Sequence, residues 1–103
     1  MKRIAPAALL AAVLCVPATI AAAETTTSGK IAIIAADPDD FVVQLDTNGN
    51  CGSPYFHFQR VNKNFRESVA LALTAYSTGS TMVMFVSGCN NDRNIASHAF
   101  MGR

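Results

Sequence analysis

The sequence predicts a small, mainly β domain with one helix, its elements running in the order β-β-β-α-β-β. Three features carry that prediction. Short segments rich in β-branched and aromatic residues recur between clusters of Gly, Pro, Asn and Asp. A single stretch between the third and fourth such segments has helical periodicity. Two cysteines, Cys51 and Cys89, lie in turn-rich segments on either side of that stretch.

The domain begins after a segment read as an export signal. Met1-Lys2-Arg3 is a positive n-region, Ile4 to Ile20 is an apolar run of Ala, Leu and Val, and Ala21-Ala22-Ala23 supplies small residues for cleavage before Glu24. Pro6 and Pro17 bracket too short an apolar core for a membrane span, and no basic stop-transfer flank follows. Cys15, set between Leu14 and Val16, makes a poor lipoprotein acceptor. The expected product is a secreted or periplasmic protein comprising residues 24–103 as one domain.

Glu24 to Gly29 is polar and reads as a frayed end. Lys30 to Ala36, rich in Ile, reads as a short buried strand. Asp37-Pro38-Asp39-Asp40 reads as a turn, because Asp carboxylates bond nearby amides and Pro fixes φ. Phe41 to Leu45 returns as a second strand, and Asp46 to Pro54 is a loop around Cys51. From Tyr55 to Val61 the residues alternate. Phe56 and Phe58 fall on one face, while Tyr55, His57 and Gln59 fall on the other, where they form a candidate ligand-binding surface. Asn64 to Thr78 is the helix: Asn64 is placed to cap it, with Glu67 three residues on to complete a capping box. Phe65, Val69, Ala72, Leu73 and Tyr76 form its expected apolar stripe, and Gly79 its exit. Met82 to Val86 is a fourth strand, Gly88 to Asn94 a polar turn carrying Cys89, and Ile95 to Met101 a last strand. That order is shared by the OB-fold, a five-stranded barrel whose closure removes exposed strand edges. An open α+β sheet covered by one helix is the competing architecture.

Removing 23 of 103 residues leaves 80, a size at which a domain commonly needs a staple. In an oxidising compartment Cys51 and Cys89 are expected to supply one, as a disulfide closing a loop of 38 positions. Such a closure contributes about 4 kcal/mol on the loop-entropy model.

Charge and motifs narrow the function. Six Lys and Arg side chains face seven Asp and Glu in residues 24–103, a net of −1. Neither a nucleic-acid footprint nor a basic face for anionic lipid is expected from that balance. Asp46-Thr47-Asn48-Gly49-Asn50 opens like a calcium loop, but Cys51 stands where glycine is required and His57 where a bidentate glutamate is required. Two isolated cysteines lack zinc-site spacing, and His57 and His98 have no second ligand at helical or hairpin spacing. Ser77, Ser80 and Ser87 lack a nucleophile elbow. No catalytic residue, metal or cofactor is therefore expected, and a hydrolase using His57 or His98 is the least favoured reading. Tyr55 beside His57 and Gln59 offers an aromatic ring with hydrogen-bonding groups on a rigid strand, chemistry suited to sugars. A solvated or subunit-facing strand is the plainer account of the same residues.

At the helix and beyond, the chain resembles the B subunits of the subtilase cytotoxin family and its typhoid-toxin relative. The resembling runs are Asn64-Phe65-Arg66-Glu67-Ser68, Ala75-Tyr76-Ser77-Thr78-Gly79-Ser80, and Met82 to Val86. The resemblance implies an OB-fold that assembles as a homopentamer, lines a central pore with its helices, and binds sialylated or other glycans on a strand surface. Residues 24–103 are shorter than those subunits, and no sugar-binding residue is carried over. The expectation is an exported, non-enzymatic binding module for a glycan or a protein. The alternative is a periplasmic structural or inhibitory protein acting through a protein–protein surface.

Overall fold

The computed structural model describes residues 24–102. The segment read as an export signal, Cys15 within it and Arg103 lie outside the described residues. Five strands and one helix follow one another as β1 (Thr25–Ala36), β2 (Asp40–Leu45), β3 (Tyr55–Gln59), α1 (Phe65–Thr78), β4 (Thr81–Asn90) and β5 (Arg93–Gly102). The strands close into a barrel in the order β1-β2-β3-β5-β4, with β4 returning to β1. All neighbours are antiparallel except β3 and β5, which run parallel through Phe56↔Asn94 and His57↔Ile95. This is the OB-like ring that the element order predicted, and the open sheet is excluded.

Closure depends on a strand longer than the sequence suggested. Glu24 to Gly29 was expected to fray, yet Thr25 to Lys30 pairs residue by residue with Val86 to Thr81 of β4. The second half of β1 pairs with β2, and the register shift between Ile31 and Ile33 marks the bend where the strand passes from one partner to the other. Side chains gave no hint of this, because the first half contributes mainly backbone hydrogen bonds. Nor is Lys30 to Ala36 a buried strand. Ile31 and Ile34 pack on the core while Ile33 stands 53% exposed, as a bent strand with one solvated face requires.

Alternation fills the interior. Phe41, Val43 and Leu45 of β2, Phe56 and Phe58 of β3, Met82, Met84 and Val86 of β4, and Ala96 of β5 point inward and are buried. Helix α1 packs on the core with Phe65, Val69 and Ala72 of the expected stripe but not with its Leu73 and Tyr76. Ser68, Ala72 and Ala75 are buried, Phe65 and Val69 pack beside them, and Leu73 and Tyr76 are 46% and 48% exposed. Spacings of three and four fit neighbouring stripes about equally, and here small residues let the helix sit close to the strands. The cap also differs. Asn64 occupies the N-cap position without a side-chain cap bond. Its Nδ2 instead donates to the Ser97 carbonyl at 3.1 Å, tying the helix start to β5. Glu67 lies exposed in the first turn, where its charge suits the helix dipole. Gly79 ends the helix at φ 70°, a left-handed conformation that favours glycine. Lys30 Nζ donates to its carbonyl at 2.8 Å.

The Cys51–Cys89 disulfide is present, with Cα atoms 5.6 Å apart. Cys89 belongs to the end of β4, opposite Asn94 of β5, rather than to a loop after it. The turn between β4 and β5 is correspondingly tight, with Asn91 at φ 60°. A disulfide of this kind fits an oxidising compartment.

Candidate functional site

On the outer face of the barrel, the β1–β2 turn, strands β2 and β3, and the β4–β5 turn enclose an open hollow of about 380 Å³. Its size is at the small end of ligand pockets. Asp37 comes from the first turn, Val42 from β2, Tyr55 and His57 from β3, and Asp92 and Arg93 from the second turn and the start of β5.

Of the three strand-face residues expected to form a surface, two line this hollow. Tyr55 is 45% exposed and presents its ring to solvent. Gln59 is exposed but lies outside the hollow, at the far end of β3 opposite Asp40. His57 departs from expectation: it points outward, as the alternation requires, yet is only 5% exposed. Its place opposite Val42 on one side and Ile95 on the other puts it mid-sheet, where neighbouring side chains cover it.

Asp40 explains why an imidazole is tolerated there. The Asp40↔Gln59 and Val42↔His57 register places Asp40 diagonally across from His57, within reach of a long side chain. Its Oδ2 lies 2.8 Å from His57 Nδ1, and the two side chains are 18% and 6% exposed. This is the one ion-pair geometry found among the described residues. Asp40 was read as a turn residue only. Its backbone does serve the turn, the carbonyl accepting from Asp37 N at 2.8 Å, but its carboxylate belongs to His57. Arg60 clamps the same turn from below: its Nε and Nη2 donate to the Asp37 carbonyl at 3.1 and 2.8 Å, and its guanidinium lies 5.0 Å from the Phe65 ring centre.

A second set of buried groups fixes the other wall, and sequence reasoning missed it. Asn94 is fully buried. Its Oδ1 accepts from Cys51 N at 3.0 Å, and its Nδ2 donates to the Ser53 and Tyr55 carbonyls, each at 2.8 Å. Ser53 Oγ donates to the Asp92 carbonyl at 2.6 Å and accepts from Tyr55 N at 3.3 Å. These two side chains thus lock Tyr55 to the turn that carries Asp92 and Arg93. Gly49 passes so close that a Cβ there would collide with the Asn94 carboxamide. The available signal was weak: an Asn and a Ser beside the two cysteines, in segments that read as ordinary turns.

Other candidates do not converge. His98 stacks on Phe85 with ring centres 4.1 Å apart on the β4–β5 face, on a different strand pair from His57. Asp46 spends one carboxylate oxygen on Lys30 N and Thr47 Oγ1, so the calcium-like segment is a hydrogen-bonded loop. Among the described residues no cluster of three or more His, Cys, Asp and Glu side chains is arranged to hold a metal ion. Among the same residues, no helix is long and apolar enough to cross a membrane.

The hollow therefore combines an exposed aromatic ring, a tethered imidazole, carboxylates from both turns and one guanidinium. It can stack an apolar ring face and accept or donate several hydrogen bonds at once. A comparison with protein-family models, curated proteins and solved structures finds no match.

Proposed function

We propose that this chain is an exported, non-enzymatic binding module that holds a carbohydrate in the hollow lined by Tyr55 and His57. The observation that carries the reading is the position of that hollow: it lies over β2 and β3 between the β1–β2 and β4–β5 turns. That is the surface on which five-stranded barrels of this type take oligosaccharides and oligonucleotides. The charge balance argues against the second class of ligand, since a net of −1 for residues 24–103 repels a phosphate backbone. Tyr55 would stack on the CH face of a sugar ring while the flanking carboxylates and His57 take its hydroxyls.

A glycan array probed with the mature protein tests this directly. Binding that weakens by about tenfold in Tyr55→Ala, with the fold unchanged by circular dichroism, is the expected result. An array without a hit refutes it.

The resemblance to toxin B subunits extends the proposal to a homopentamer secreted or held in the periplasm. Its support is the shared element order, one helix between the third and fourth strands of a five-stranded sheet. Light scattering should then return five times the monomer mass, and a monomer removes this extension while leaving the sugar site intact. One observation favours the alternative of a periplasmic structural or inhibitory protein: Leu73 and Tyr76 stand exposed on the outer face of α1. A protein partner recovered from envelope extract, and lost in Leu73→Asp, would support that second reading.

A further inference from the structure

Residues paired across neighbouring strands carry their side chains on the same face, so the register sorts the outer side of the barrel into rows that cross the strands. One row passes from Ala35 of β1 through Val42 of β2 to His57 of β3 and forms the floor of the hollow. The row beside it passes from Ile33 through Gln44 to Tyr55. Arg93 completes that second row. Phe56 and Asn94 pair and are both buried, so Tyr55 and Arg93, one residue earlier on parallel strands, both turn outward, and both line the hollow. We infer that the hollow is the closed end of a longer trough, that its ligand is a linear oligosaccharide lying across the strands, and that Gln44 and Ile33 bind the units beyond the one stacked on Tyr55. The inference rests on the sugar-binding reading above and adds the length and direction of the sugar.

The two sides of the hollow differ. Toward β5 it ends at the β4–β5 turn, where Asp92 and Arg93 stand and Ser53 Oγ fixes the backbone by donating to the Asp92 carbonyl at 2.6 Å. Toward β1 its lining residue is Ala35, exposed and ending in a methyl group, a side chain too short to make a wall. No further strand rises behind it: among the described residues, Ile31 to Ala36 pair with β2 alone. A chain leaving the hollow therefore leaves over β1. The row that carries Tyr55 continues the same way. Gln44 is half-buried and Ile33 is 53% exposed. A lone exposed isoleucine on a strand is ordinary, but this one lies in line with a carboxamide and an aromatic ring. Ile33 offers an apolar surface to the CH face of a sugar, and Gln44 offers a group that both donates to and accepts from hydroxyls. Length agrees as well. The row crosses β5, β3, β2 and β1, four neighbouring strands. Three spacings of about 4.8 Å make it about 14 Å long, room for roughly three sugar rings end to end.

A chain-length series decides it. The sugar that binds best on the array is prepared as the single unit and as linear chains of increasing length, and each affinity is measured by calorimetry, or by spectral titration where binding is weak. Affinity should rise by about tenfold or more up to roughly three units and then level off. Two variants locate the gain. Ile33→Thr keeps the β-branched shape that suits a strand but shortens the apolar surface, and Gln44→Ala removes the carboxamide. Each should weaken binding of the longer chain by about threefold or more and leave the single unit unaffected. That split is the decisive reading, because a variant that merely disturbed the barrel would weaken both ligands and lower the melting temperature. Affinity that does not grow with chain length, or variants that weaken the single unit as much as the longer chain, overturns the inference while leaving sugar binding at Tyr55 in place. An array without a hit removes the sugar reading and this inference with it.

Discussion

Replacing Asn94 with alanine should be among the most damaging single changes outside the apolar core. The carboxamide is fully buried and makes three hydrogen bonds, to Cys51 N and to the Ser53 and Tyr55 carbonyls, at 2.8 to 3.0 Å. Alanine leaves one amide and two carbonyls unpaired in the interior. At about 1–3 kcal/mol for each unsatisfied group, and allowing for water entering part of the space, the loss comes to about 3–5 kcal/mol. For a domain of this size each kcal/mol lowers the melting temperature by about 4–8 °C, so the smaller figure alone means a fall of about 12–24 °C. Asn94→Asp should be at least as severe. Its carboxylate can still accept from Cys51 N but would face two carbonyl oxygens with nothing to donate. Urea unfolding followed by far-ultraviolet circular dichroism, with the disulfide intact, measures both variants. An Asn94→Asp protein within about 1 kcal/mol of the parent would refute the assignment of the carboxamide as the donor that joins β3 to β5.

Three further outcomes follow from the same contacts. Reducing the Cys51–Cys89 disulfide, which closes a loop of 38 residues, should cost about 4 kcal/mol, and an unchanged melting temperature in reductant would contradict a structural role. Gly49→Ala should lower stability by forcing the Asn94 carboxamide from its position, whereas Gly88→Ala, which meets nothing within 4 Å, should leave thermal unfolding nearly unmoved. Tyr55→Ala should weaken glycan binding by about tenfold without changing the unfolding midpoint much, because its ring is 45% exposed; a large loss of stability would show that the ring serves the fold instead.

Alternation made the barrel legible, since the inward residues of β2, β3 and β4 could be read directly from Phe41 to Leu45, Phe56 with Phe58, and Met82 to Val86. Two cysteines in residues 24–103, read as facing an oxidising compartment, were enough for the disulfide. What the sequence concealed depends on register. The Thr25 to Lys30 half of β1 has no apolar pattern because its task is backbone pairing with β4. His57 looks like a surface residue until Asp40 is known to lie diagonally across from it. Asn94 looks like a turn residue until the parallel β3–β5 contact brings it beneath Ser53 and Tyr55. Asp92 and Arg93 join Asp37 only once the barrel closes. Each of these is a long-range pairing, and local propensity carries no information about which strands meet.

The most direct test of sugar recognition on this face is an amide nitrogen–proton spectrum of labelled protein titrated with the glycan that binds best on the array. Shifts should concentrate at Asp37, Val42, Tyr55, His57, Asp92 and Arg93, around the rim and floor of the hollow. Shifts confined to the outer face of α1 around Leu73 and Tyr76, or none at saturating sugar, would contradict it.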